Sequence, residues 1–133
     1  MFLLDANAVS HFIRFPDGVI ARRLAAVGDT ECATSIVVAA ELRFGAELKG
    51  SPRLTERVDG ALLRLAVLPL DVDADRHYGR IRADLRRRGQ PIGANDMLVA
   101  AHALALGATL VTDNIREFER VGGLLLENWL RED

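Results

Sequence analysis

The sequence predicts an α/β domain built on a mostly parallel central sheet of about five strands flanked by about five helices. Short apolar runs (FLL, CATSI, AVLPL, ATLVT and GLLLE) alternate with longer segments of helical period, the pattern in which each strand is followed by a helix that covers the sheet. At 133 residues the chain has the length of one domain, enough to remove roughly two-thirds of its unfolded surface from water. No repeat or linker divides it, so a single domain over 1–133 is expected.

The opening MFLLDANAVS reads as a buried strand that stops at a carboxylate, Asp5, where a Gly or Asn turn would be ordinary. In a parallel sheet, functional groups collect outside the carboxyl ends of the strands. Asp5 ends the first strand and Asp113, in ATLVTDN, ends the fourth, so both belong at one edge. The CATSI strand leads into the helix IVVAAELRFGAEL, where Glu41 shares a face with Val37, Phe44 and Leu48. That apolar stripe is expected to turn Glu41 toward the core, where an ionised carboxylate needs a cation or a basic partner.

AVLPL supplies the middle strand, and RIRADLRRRGQ carries Arg80, Arg82, Arg86, Arg87 and Arg88 on or near one helix. Arginines there suit a helix C-terminus and a solvated surface; the functional alternative is contact with the phosphates of a nucleic acid. PIG then breaks the structure, and DMLVAAHALAL is helical with Asp96 in its first turn. Alone, Asp96 reads as a capping residue. The helix is apolar almost all round, however, which puts its start against the sheet.

Four acids, Asp5, Glu41, Asp96 and Asp113, are thus expected to converge on one pocket. Two carboxylates about 4 Å apart repel by roughly 4 kcal/mol at an effective dielectric of 20, so four without a cation could not all stay ionised. Oxygen-only ligation suits Mg²⁺ or Mn²⁺ better than zinc, and such ions serve in-line phosphoryl displacement. Asn7, Ser35 and Thr112 flank these acids as residues that could orient them. Arg116, three residues after Asp113, is a candidate contact for a nucleic-acid phosphate. His102, on the apolar helix, reads as a packed imidazole rather than a general base.

The formal net charge of −2 excludes binding nucleic acid through overall positive charge, so any basic site must be local. The lone Cys32 sits in an apolar setting and reads as a small buried hydrophobe; with one cysteine, no disulfide forms within the chain. Neither a signal peptide nor a run of roughly twenty apolar residues is present, and a cytoplasmic protein with no membrane contact is expected.

At this point the motifs MFLLDANAVS, SIVVAAELRFGAE, GRIRADLRRRGQPIGANDMLVAAHALALG and LVTDNIREFERVGGLLLENW resemble, in order and spacing, those of the PIN-domain ribonuclease toxins of the VapC family. The resemblance covers residues 1–129. It implies a PIN-like three-layer fold, Mg²⁺ or Mn²⁺ as cofactor, and endoribonuclease action on tRNA or other structured RNA. It also implies a cognate VapB-type antitoxin, a homodimer and a toxin–antitoxin hetero-oligomer. Position by position, Asp5, Glu41, Asp96 and Asp113 match the acidic cluster, and Asn7 and Ser35 its supporting polar residues. Relatives can carry Asn at the position of Asp113, and Glu117 is near enough to substitute. Ala6 and Val38 stand where the family usually has Thr. The competing expectations are an inactive binding module of the same fold, and a phospho-receiver domain whose acceptor would be Asp71. The receiver also needs a second acid at the first strand and a late Lys, and the only Lys is Lys49.

Overall fold

The computed structural model describes residues 1–131; positions 132–133 of the expected domain lie outside the described residues. Five short strands, β1 (Phe2–Leu4), β2 (Cys32–Ser35), β3 (Ala66–Leu68), β4 (Thr109–Val111) and β5 (Leu126–Glu127), form one sheet in the order β3-β2-β1-β4-β5. Every pairing is parallel, with Leu3 flanked by Ala33 and Leu110. These central positions are buried, as the near-continuous apolar character of a parallel sheet requires.

The connections are helices: α1 (Ala6–Arg14), α2 (Val19–Val27), α3 (Ile36–Lys49), α4 (Pro52–Arg64), α5 (Ala74–Arg87), α6 (Ala94–Leu106) and α7 (Ile115–Phe118). The described residues therefore hold seven α-helices where about five were expected. The difference lies in short pieces such as the four-residue α7, too brief to show a period in the sequence. Glycine at Gly107, with φ of 64°, closes α6 in the left-handed conformation and turns the chain into β4.

Two sequence expectations are corrected in the helices. Helix α6 buries Met97, Val99, Ala100, Ala101, His102 and Ala103, but its start is not buried as expected: Ala94 and Asn95 are exposed and Asp96 is half-buried. The stripe of Val37, Phe44 and Leu48 on α3 is not its core face: Phe44 is 66% and Leu48 75% exposed. Helix α3 instead buries the smaller Val38, Ala39 and Ala46. It is apolar on two sides, and periodicity alone cannot say which side lies inward. Close packing on the sheet favours the side with small residues, leaving Glu41 half-buried beside an exposed apolar face.

Candidate active site

Because all strands run the same way, β1, β2 and β4 deliver their carboxyl ends, and the helix starts that follow, to one edge. Asp5 directly follows β1, and its backbone N–H donates to the Val111 carbonyl at 3.0 Å. It is also the N-cap of α1, with its Oδ1 accepting from the Ala8 N–H at 3.1 Å. The Asn7 N–H and the Thr112 hydroxyl donate to the same carboxylate. The group is 6% exposed. Burial outweighs these donors and, with a smaller push from the charge of Glu41, raises its pKa from 3.8 to about 6.

Asp96 is the third residue of α6 and half-buried. It does not cap the helix: the N-cap is Gly93, which receives no side-chain cap bond. Burial, then the charge of Glu117 and a hydrogen bond shared with it, then the fields of Glu41 and Asp5 raise Asp96 to about 7. Glu41, on α3, is raised by burial. Glu117 is anchored by two donors, the Gly93 N–H on Oε1 at 3.0 Å and the Asn114 side-chain amide on Oε2. Asp96 thus stands in the fields of Glu117, Glu41 and Asp5, and Asp5 in that of Glu41. No Arg, Lys or His contributes to the raised values of Asp5, Glu41 and Asp96.

Asp113 is not brought into this group. It is exposed, and its Oδ1 accepts from the Asn128 amide at 2.9 Å. The chain continues past β4 for one residue, Thr112, before Asp113, and α7 brings Glu117 back toward α6. The spacing that could have shown this is the one helical turn from Asp113 to Glu117. Thr112, one residue earlier and buried, points the other way: it donates to Asp5 and accepts from the Asn114 N–H at 2.9 Å.

Among the other sequence-selected residues, the structure gives Asn7 a backbone role at Asp5, with its side chain exposed. Ser35 does not reach the acids. Its hydroxyl caps α3 at the Val37 N–H, 3.1 Å away, and meets His102 Nδ1 at 2.8 Å. His102 is 2% exposed and burial lowers its pKa, with the Pro69 carbonyl opposing this; its Nε2 has no hydrogen-bond partner among the described residues. Val38 lies fully buried in the core. Arg116 is exposed and takes part in no ion pair among the described residues. Asp71 is exposed, with one oxygen on the Val72 N–H.

Sequence reasoning missed two supports. The buried Thr34 donates to the Leu4 carbonyl at 2.7 Å and fixes the residue before Asp5. Arg120 donates to the Pro91 carbonyl at 3.0 Å, and its own carbonyl accepts from Arg88. These bonds pin the loop that ends at Gly93. Beside Glu41, α1, α3 and α4 border an open groove of about 520 Å³ lined by Ala6, Ile13, Leu42, Ala46 and Val58, with Arg14 at its rim.

The donor set is oxygen-only and carries negative charge without a basic partner, which fits a hard divalent cation. Among the described residues, no three Asp, Glu, His or Cys side chains stand in ligating positions around one point. The fit is therefore one of charge and donor chemistry. No helix among the described residues is long and apolar enough to cross a membrane.

Residues 2–124 match the model of the PIN domain family. The chain is 39% identical to the tRNA(fMet)-specific endonuclease VapC of Shigella flexneri over 129 residues, 96% of this chain and 97% of that one. It is 36% identical to Ribonuclease VapC2 of Rickettsia felis over 131 residues, 97% and 98% of the two chains. In structure it superposes on the DNA-bound VapBC of Salmonella typhimurium with a TM-score of 0.88 at 37% identity, covering 96% of this chain and 97% of that chain. Likeness of this extent and identity places the chain in the VapC family of PIN-domain ribonucleases, the toxins of VapBC toxin–antitoxin systems.

Proposed function

We propose that this ribonuclease cuts structured RNA, with tRNA the first substrate to try, using Mg²⁺ or Mn²⁺ held by Asp5, Glu41, Asp96 and Glu117. The observation that supports this is the convergence of Glu117, Glu41 and Asp5 on Asp96, with no basic side chain contributing to the raised values of Asp5, Glu41 and Asp96. When bound, the ion supplies Lewis-acid charge to the phosphodiester and an activated water. The chain's own residues do the rest. Thr112 and the first turn of α1 hold Asp5 in place, and the Gly93 N–H and Asn114 hold Glu117. Burial, and after it the charge of Glu117, keeps a proton at the Asp96 carboxyl up to about pH 7, so Asp96 changes charge within the physiological range. Arg116, exposed beside Glu117, is placed for an RNA phosphate.

The cognate VapB antitoxin has an apolar groove adjoining Glu41 in which to lie, and the exposed Ile36, Phe44 and Leu48 add apolar area for a homodimer and a larger toxin–antitoxin assembly. The cytoplasm is the compartment that brings such a toxin to tRNA. The test is cleavage of tRNA by purified, antitoxin-free protein. Cleavage with Mn²⁺ or Mg²⁺ is expected, abolished by EDTA, restored by added metal, and absent in Asp5→Asn and Asp96→Asn. Undiminished cleavage in EDTA, or in both variants, would overturn the mechanism.

A further inference from the structure

We propose that the outer face of α5 is a second RNA-backbone site, a stripe of arginines that holds substrate phosphates away from the scissile bond; it rests on the reading of this chain as an RNA-cleaving enzyme. Although the whole chain is acidic, residues 74–88 carry six arginines against Asp75 and Asp84. Arg88 is engaged with Asp84 and Gln90. Arg82 is held upright, its guanidinium donating to the Tyr78 hydroxyl at 2.9 Å. Arg86 and Arg87 are exposed and enter no ion pair among the described residues. Dipole compensation at the helix end needs one such cation; two are left over.

Arg82, Arg86 and Arg87 border a shallow groove of about 390 Å³ floored by Gly79 and Ala83. A Cβ built on Gly79 meets nothing within 4 Å, so a strand can approach the helix backbone there. Arg82 and Arg86 are one turn apart, about 6 Å along the axis, a spacing the sugar–phosphate backbone matches. Forked guanidinium donors suit phosphate oxygens.

The stripe also leads to the acids. Only residues 88–93 connect α5 to α6, so the two pack as an antiparallel pair. The last turn of α5 therefore lies beside the first turn of α6, which carries Asp96. Arg88 bonds the Arg120 carbonyl, Arg120 bonds Pro91, and Gly93 bonds Glu117, a chain of contacts from the stripe to the site. An RNA lying on the carboxylate edge can continue along α5.

The test measures binding of a labelled tRNA in an Asp96→Asn background, which removes cleavage, over a salt series. Arg86→Glu with Arg87→Glu should raise Kd roughly tenfold or more and reduce the slope of log Kd against log salt by about 1.5, the loss of two phosphate contacts. Gly79→Glu, which fills the groove and removes no arginine, should also weaken binding. In the otherwise active protein, the same changes should slow cleavage of the intact tRNA and spare a short oligonucleotide containing the mapped cut. Unchanged affinity and slope in both variants overturn the proposal, as does loss of antitoxin binding with RNA binding intact. If the unaltered protein cuts no RNA but the variants still lose tRNA binding, the stripe stands and the nuclease reading fails.

Discussion

The carboxyl groups of Asp96 and Glu117 lie close enough to share a hydrogen bond, although one comes from the first turn of α6 and the other from the short helix α7. Asp113, four residues before Glu117, is instead occupied with Asn128. Glu117→Gln should therefore lower both turnover and apparent Mn²⁺ affinity by roughly 10- to 100-fold, the usual loss when a group at a metal site is removed. Asp113→Asn should leave both within about threefold. Mn²⁺ titration of the two variants decides between the acids, and equal losses would return Asp113 to the site.

Raised carboxyl values make the metal-free protein less stable as pH rises. Asp5 and Asp96 bind protons more tightly folded, at about 6 and about 7, than unfolded, at 3.8. Their contribution is complete below about pH 4 and is lost as pH climbs through 6 and 7, because the folded state then holds protons that the unfolded state has released. Of the roughly 3 kcal/mol that the buried Asp5 contributes below pH 4, about 1.4 kcal/mol remains at pH 5 and is lost by pH 8, roughly 5 °C in Tm. Thermal unfolding in EDTA at pH 5 and pH 8 should show the fall, and Asp5→Asn should flatten it. A metal-free protein equally stable at both would refute the carboxyl assignment.

Thr112→Val removes a hydroxyl that donates to Asp5 and holds its pKa down. Asp5 then titrates higher still, and metal binding, which needs the carboxylate, shifts upward in pH. Cleavage by Thr112→Val should fall more at pH 6.5 than at pH 8.5, with a stability loss of about 1 kcal/mol from the unpaired Asn114 N–H. A loss independent of pH would mean that Thr112 serves packing alone.

Gly93 has an ordinary φ of −57°, so its lack of a side chain is not a matter of backbone freedom. A Cβ there would come 3.1 Å from Asp96 Oδ2. Gly93→Ala should displace that carboxylate by a few tenths of an ångström and reduce turnover about tenfold, while Tm changes by only a few degrees. Circular-dichroism melts and cleavage rates on one preparation separate the two effects.

The periodic parts of this chain were legible without coordinates. Alternating apolar runs and helical segments determined the α/β class, five parallel strands and their order in the chain. The strand ends placed Asp5 at the carboxyl edge and Asp113 with it, although the Asp113 side chain is taken up by Asn128; Asp96 was legible from its place in the first turn of an apolar helix. What the sequence left open were choices between equivalent local options. Helix α3 offers two apolar faces, and only packing against β2 and β3 turned Val38 and Ala39 inward and left Phe44 outside. Ser35 could have faced the acids or His102, and burial of the histidine ring decided for His102. Asp113 and Glu117 are equally acidic and one helical turn apart; which of them meets Asp96 depends on the path of α7 and on the loop that Arg120 ties to Pro91. Such contacts join residues far apart in the chain, and their outcome is set by three-dimensional packing, which no local pattern encodes.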